Sequence, residues 1–419
     1  MPLAPRAAAV KGVVARLLVP AGADPAVLRL LVARALRGFA DGFVAVLLPA
    51  HLLGLGYGQL EVGLLSTATL AGSALATLAL GALGHLWSAP RLLRAAALLM
   101  AATGAAFAGF ASFGPLLVVA FVGTLNPSSG DVSVFLPLEH ARLAGAASGH
   151  ARTALFARYS LAGALSGAVG ALAAAVPAWL AARAGVALAS GLRWMFALYG
   201  LIGLVVWWLY RSLPVAAADA AAAAPAALDP SRAIVVRLAA LFSIDAFAGG
   251  LVVNSLLALW LFDRFGLSLA QAGAFFFATG LLTAASQLAA PAVARRIGLL
   301  NTMVFTHIPA NLCLAGAALA PSLPLAFGLL FVRSALSQMD VPTRTAFVMA
   351  VVTPAERTAA ASFTAVPRSL ASAASPTLAG AWMAAGWLAA PLVVCAALKI
   401  GYDLALLFAF RRVRLPDAD

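Results

Sequence analysis

The chain has 419 residues, of which 63% are hydrophobic and 10% charged, and its mean hydropathy is +1.01. A soluble domain carries about 25% charged residues, so this composition excludes a water-soluble core and points to a chain that crosses a membrane many times. The net charge of +13 would suit a nucleic-acid binder, but most arginines stand at the ends of apolar runs, as cytoplasmic loop charges do, and no nucleic-acid partner is expected.

In chain order, residues 1–27 read as a cytoplasmic arm. Arg6, Lys11 and Arg16 are spread through an Ala/Val-rich stretch there, unlike a cleavable signal. A crossing needs about 20 apolar residues. Candidate runs follow at 28–53, 60–86, 92–112, 115–138, 153–178 and 190–211. Residues 212–232, rich in Ala and Pro, read as a cytoplasmic linker. A second set follows at 233–261, 268–293, 299–320, 323–348, 358–383 and 388–410, and 411–419 form a tail. The expected fold is all-α and integral to the membrane, with twelve transmembrane helices arranged as bundles 28–211 and 233–410.

Positive charge fixes the expected orientation. Arg91, Arg94, Arg142, Arg152, Arg211, Arg232, Arg295, Arg296, Arg357 and Arg411 fall on one side, against Arg183, Arg193 and Arg264 on the other. Both termini and the linker are then cytoplasmic, in a plasma (bacterial inner) membrane.

The two halves repeat. Asp131-Val132 recurs 209 residues later as Asp340-Val341, and Ser160-Leu161-Ala162 recurs at the same offset as Ser369-Leu370-Ala371. Ala40-Asp41-Gly42-Phe43 matches Ile244-Asp245-Ala246-Phe247. Parallel six-helix repeats are an architecture of secondary transporters, with the site near the midplane between them.

The loop after the second run of each half carries a degenerate signature. The first copy is Gly81-Ala82-Leu83-Gly84-His85-Leu86-Trp87-Ser88-Ala89-Pro90-Arg91, and the second is Ala294-Arg295-Arg296-Ile297-Gly298. Together with the span count and the linker, these residues resemble the major facilitator superfamily and its G-x-L-A-D-R-x-G-R-R motif. His85 and Arg295 stand where that motif has its acid. The fifth run, Ser166-Gly167-Ala168-Val169-Gly170-Ala171, lacks the Pro of the antiporter pattern G-P-x-x-G-G.

Charged side chains deep in a bilayer are rare and usually functional. Asp41, Asp131, Asp245 and Asp340 lie well inside the first, fourth, seventh and tenth runs. By the resemblance, those helices line a central cavity, so the four acids are expected to bind substrate or protons. The competing reading is that each is neutralised by an Arg and serves packing or gating. Arg37 is placed for an i, i+4 pair with Asp41, and Arg344 for one with Asp340. Arg158 and Arg368 open the fifth and eleventh runs, where the resemblance implies gate residues. Arg333 is the candidate basic ligand, or a partner of Asp245 or Asp340. In Asn126-Pro127-Ser128-Ser129-Gly130-Asp131, Pro127 breaks the helix, and Asn126, Ser128 and Ser129 offer polar groups to a substrate. Glu139 and His140 read as a solvated loop pair, and Lys399 and Asp403 as a mutually neutralising pair on an outer helix.

No G-x-S-x-G, H-E-x-x-H or Walker A sequence is present, so neither an enzyme nor an ATP-driven pump is indicated. Cys313 and Cys395 stand in separate apolar runs without metal-ligand spacing, and no metal or cofactor is expected. The expectation is a monomeric secondary transporter working by alternating access, with a small-molecule substrate, protons and the bilayer as partners. Proton-coupled export of a small organic compound is the leading expectation. A cation or metal transporter and a non-transporting membrane sensor are the alternatives.

Overall fold

The computed structural model describes residues 25–128, 133–146, 149–214, 228–353 and 356–411. The secondary structure assigned among them is helical. The first eight α-helices are α1 (Pro25–Gly54), α2 (Gln59–Leu83), α3 (Ala89–Gly109), α4 (Phe113–Val122), α5 (Phe135–Ala146), α6 (Gly149–Ala173), α7 (Val176–Ala184) and α8 (Leu188–Arg211). After the linker come α9 (Arg232–Gly250), α10 (Asn254–Phe265), α11 (Leu269–Ile297), α12 (Leu299–Ala318), α13 (Leu323–Leu336), α14 (Asp340–Val351), α15 (Arg357–Ala374), α16 (Pro376–Ala384) and α17 (Ala390–Phe410).

By length and composition, seven described stretches can cross a membrane on their own. Three of the other apolar runs fall short for identifiable reasons. α1 carries Arg29, Arg34, Arg37 and Asp41 along its length. The fourth run is split into α4 and α5, and the tenth into α13 and α14 at Ser337–Met339. In the fourth, Pro127 supplies no N–H, and the Asn126 side-chain oxygen captures the Ser128 N–H at 3.1 Å and the Ser128 hydroxyl at 2.8 Å. A local side-chain turn therefore replaces the helical ladder. The seventh run also breaks, between Gly250 and Asn254.

Helices α1–α8 pack chiefly on one another, as do α9–α17. In the first bundle α1 crosses α6 at close range. A Cβ on Gly38 would lie 2.6 Å from the Gly163 carbonyl oxygen, so both positions must stay small for the backbones to approach.

Two seams join the bundles, α2 against α15–α16 and α6 against α11, with α1 touching α10 between them. At the first seam a Cβ on Gly63 would lie 2.6 Å from the Pro376 carbonyl oxygen. One turn on, the Thr67 hydroxyl meets the Thr377 hydroxyl at 2.8 Å and its N–H at 3.0 Å. Gln59 donates to Asp263 at 3.0 Å, and Ser66 and Ser255 share a 3.2 Å hydrogen bond. The Ser255 N–H donates to the Pro127 carbonyl at 2.9 Å. The break of the fourth run thus frees an acceptor for the break of the seventh.

These bonds sit toward the end of the molecule where α1 runs into α2. At the opposite end, hydrogen bonds among the described residues tie each bundle to its own loops. Arg29 donates to the Ser212 carbonyl at 2.8 Å and Arg142 to the Pro214 carbonyl at 2.6 Å. In the second bundle, Glu356 accepts from the Asp229 N–H and the Thr353 hydroxyl, both at 2.7 Å.

Candidate functional site: a buried ion cluster in each bundle

Arg37 lies in the middle of α1 and is 2% exposed, while Glu139 lies on α5 and is 0% exposed. They form an ion pair. Tyr159 of α6 donates to the same carboxylate, and Tyr210 of α8 donates to its other oxygen at 2.6 Å. The Arg37 guanidinium stacks on the Phe135 ring at 4.2 Å, and that of Arg34 on Tyr159 at 5.3 Å. Four helices therefore converge on one carboxylate. A buried carboxylate is tolerable only when its lone pairs are taken up in this way. Asp41, one turn along α1 from Arg37, is half-buried and hydrogen-bonds the Asn126 side chain within the field of Arg37 and Arg34.

The second cluster is larger. Asp245 of α9 accepts from Lys399 of α17 at 2.5 Å and from Arg344 of α14 at 3.2 Å. Arg344 also pairs with Asp340, one turn earlier on α14, and lies over the Phe242 ring at 5.5 Å. Behind it, both carboxylate oxygens of Asp403 lie 3.0 Å from Nδ1 of His307 on α12. Asp245, Asp340, Arg344, Lys399, His307 and Asp403 are all buried.

The sequence-expected residues divide as follows. Asp41, Asn126 and Ser128 come together at the break between α4 and α5, whereas Ser129 and Asp131 lie outside the described residues. Asp245, Asp340 and Arg344 form one network. The Arg344–Asp340 pair has the i, i+4 geometry read from the sequence. Arg37 differs, because its ion pair goes to Glu139 rather than Asp41. Glu139 is not a solvated loop residue: the helix break turns α5 so that it points into the bundle. Arg333 is not the partner of Asp245 or Asp340. Arg344 and Lys399 hold those acids, and Arg333 lies beyond the Ser337–Met339 break with a buried, unpartnered Nε. Lys399 and Asp403 do not neutralise each other, since each meets a residue of another helix. Arg158 keeps a buried Nη1 without a partner, and Arg368 is exposed.

Sequence reasoning missed Glu139, Tyr159, Tyr210, His307 and Lys399 as site residues. His307 carried a usable signal, being an ionisable residue inside an apolar run, like Asp403 in another. Among the described residues no group of three or more His, Cys, Asp or Glu could hold a metal ion.

The sequence profile of the Major Facilitator Superfamily matches residues 30–376. The chain belongs to that superfamily. It is 23% identical over 411 residues to an uncharacterised membrane protein of Saccharomyces cerevisiae, YJR124C, an alignment covering 90% of this chain and 92% of that one. In structure it resembles the nucleoside transporter NupG, with a TM-score of 0.70, 15% identity and coverage of 93% and 100% of the two chains. It likewise resembles the xylose transporter XylE from E. coli in its inward-open conformation, with a TM-score of 0.69, 14% identity and coverage of 94% and 98%. At such identities the likeness to these structures establishes the fold alone. As a superfamily member with long apolar helices, the chain is an integral membrane protein of a transporter family.

Proposed function

We propose that this superfamily member is a proton-coupled secondary transporter, that it moves a small organic solute by alternating access, and that the structure represents its inward-facing state. On this reading the helices make twelve crossings as two six-helix bundles, with the broken pairs α4–α5, α6–α7, α9–α10, α13–α14 and α15–α16 each counting as one. The observation that carries the proposal is the one-sided seam. Gly63 against Pro376, Thr67 against Thr377 and Ser66 against Ser255 close one end, while at the other end the hydrogen bonds seen among the described residues, such as Arg29 to Ser212 and Asp229 to Glu356, stay within a bundle. With the termini in the cytoplasm, the closed end is the outer one.

Proton coupling is supported by ionisable groups held at depth in the second bundle. His307 meets Asp403. Asp403 also lies in the field of Lys399 and Asp245, and Arg344 links Asp245 to Asp340. Protonating one member of such a network redistributes the ion pairs of the rest, which is how a proton can bias a packed element between two arrangements. An organic solute is favoured over a metal because Glu139, Asp245 and Asp340 are already paired with Arg or Lys.

The test uses proteoliposomes exposed to a metabolite extract under an imposed pH gradient, with the contents read by mass spectrometry. The proposal expects gradient-dependent enrichment of specific solutes by the wild type and none by Asp245→Asn. Enrichment that persists in Asp245→Asn, or that ignores the gradient, contradicts proton coupling.

A further inference from the structure

The second bundle holds more guanidinium than its acids can neutralise. Asp245 and Asp340 are engaged by Arg344 and Lys399, and Asp403 by His307. That leaves Arg333 and Arg368, neither of which forms an ion pair with a described acid. Arg368, on α15, is exposed yet within electrostatic reach of Arg344, Asp245, Asp340 and Tyr402. Arg333 acts on Cys395 of α17 and stands apart from this group, beyond the Ser337–Met339 break. Orphaned donors accumulate around Arg344. Nε of Arg344 and the hydroxyl of Tyr402 are buried without a hydrogen-bond partner, and Tyr402 is only 2% exposed.

Each buried donor left unpaired costs about 1–3 kcal/mol, and Arg368 lacks a counter-charge among the described acids. A ligand that accepts several hydrogen bonds and carries negative charge answers both. A guanidinium offers paired N–H groups that match a carboxylate or phosphate.

We propose that the region bounded by α9, α14, α15 and α17 binds the negatively charged group of the transported solute, an organic anion, with Arg368 as its first contact. The Tyr402 hydroxyl and Nε of Arg344 complete the donor set. The transported-solute part rests on the transporter reading above, whereas the anion site itself does not.

The experiment separates the two. Ala365, exposed and one turn from Arg368, is replaced by Cys in a full-length chain carrying Cys313→Ser and Cys395→Ala. Modification by an anionic and a cationic methanethiosulfonate is followed, each rate being normalised to that with free cysteine. A positive site favours the anionic reagent by about tenfold or more, and the preference collapses in Arg368→Gln but persists in Arg368→Lys. A preference that is absent, or that Arg368→Gln leaves intact, overturns the anion site. In proteoliposomes the probes are benzoate, glucose 6-phosphate, uridine and tetraphenylphosphonium. Flux of an anionic probe that falls in Arg368→Gln and is partly kept in Arg368→Lys supports the assignment. Flux confined to uridine or tetraphenylphosphonium overturns it and leaves the transporter reading standing.

Discussion

Glu139 and Arg37 meet at the centre of the first bundle, paired in ion contact although 102 residues apart in the chain. With Tyr159 and Tyr210 also bound to the carboxylate, this single pair ties α1, α5, α6 and α8 together.

Glu139→Gln removes the negative charge and leaves Arg37 buried without a counter-ion. Breaking a buried pair from one side costs about 3–5 kcal/mol, whereas replacing both partners is often close to neutral. Thermal unfolding of the purified protein in detergent should show a clearly lower Tm for Glu139→Gln. The double variant Glu139→Gln with Arg37→Met should recover part of the loss. A single variant that melts with the wild type would show that the pair does not hold the bundle.

This pair also marks the limit of what was legible in the sequence. Apolar runs located the helices, because period and length are local properties. The repeat of Asp131 as Asp340 and the Pro127 break were visible for the same reason. Pairing was not. Arg37 and Asp41 share a helix face and looked like partners, but the partner of Arg37 comes from α5, and the bend that brings it there depends on how the fourth run breaks. Lys399 and Asp403 misled in the same way: i, i+4 spacing shows what can meet on one helix, while Asp245 on α9 and His307 on α12 were the better-placed partners across helices. Arg344 with Asp340 was legible because there the partner is local.

Gly63 sets how closely α2 can approach α16. A Leu at this position cannot be accommodated beside the Pro376 carbonyl and the Gly380 Cα. Gly63→Leu should hold the seam open, so that a Cys at Ser255, 0% exposed in the closed seam, becomes reactive to a membrane-impermeant maleimide added outside. Equal protection of that Cys with and without Gly63→Leu would show that the seam does not depend on this crossing.

Glu356 fastens the start of the second bundle to the loop before α15. The hydroxyls of Ser231 and Thr353 and the Asp229 N–H bind its ionised form and hold its pKa at about 2, below the ordinary value near 4.5. A carboxylate whose pKa is depressed on folding adds stability that is complete above the unfolded pKa and is lost as pH falls through the folded one. The Tm difference between wild type and Glu356→Gln should therefore be constant from pH 6 to 8, shrink below about pH 4.5 and vanish near pH 2. A difference that grows as the pH falls would reverse the sign and contradict the assignment.

The central claim is that the two bundles rock about the seam, closing one end as the other opens. Spin-label distance measurements in lipid bilayers test it without knowledge of the substrate. One pair, Leu86→Cys with Ile297→Cys, reports the end near the linker. The other, Leu188→Cys with Leu319→Cys, reports the seam end. All four positions are exposed, and both pairs are placed in a chain carrying Cys313→Ser and Cys395→Ala. The account predicts two distance populations for each pair, and between pH 5 and pH 8 the two ends shift in opposite directions. A single distance at both ends, unchanged with pH, would contradict alternating access.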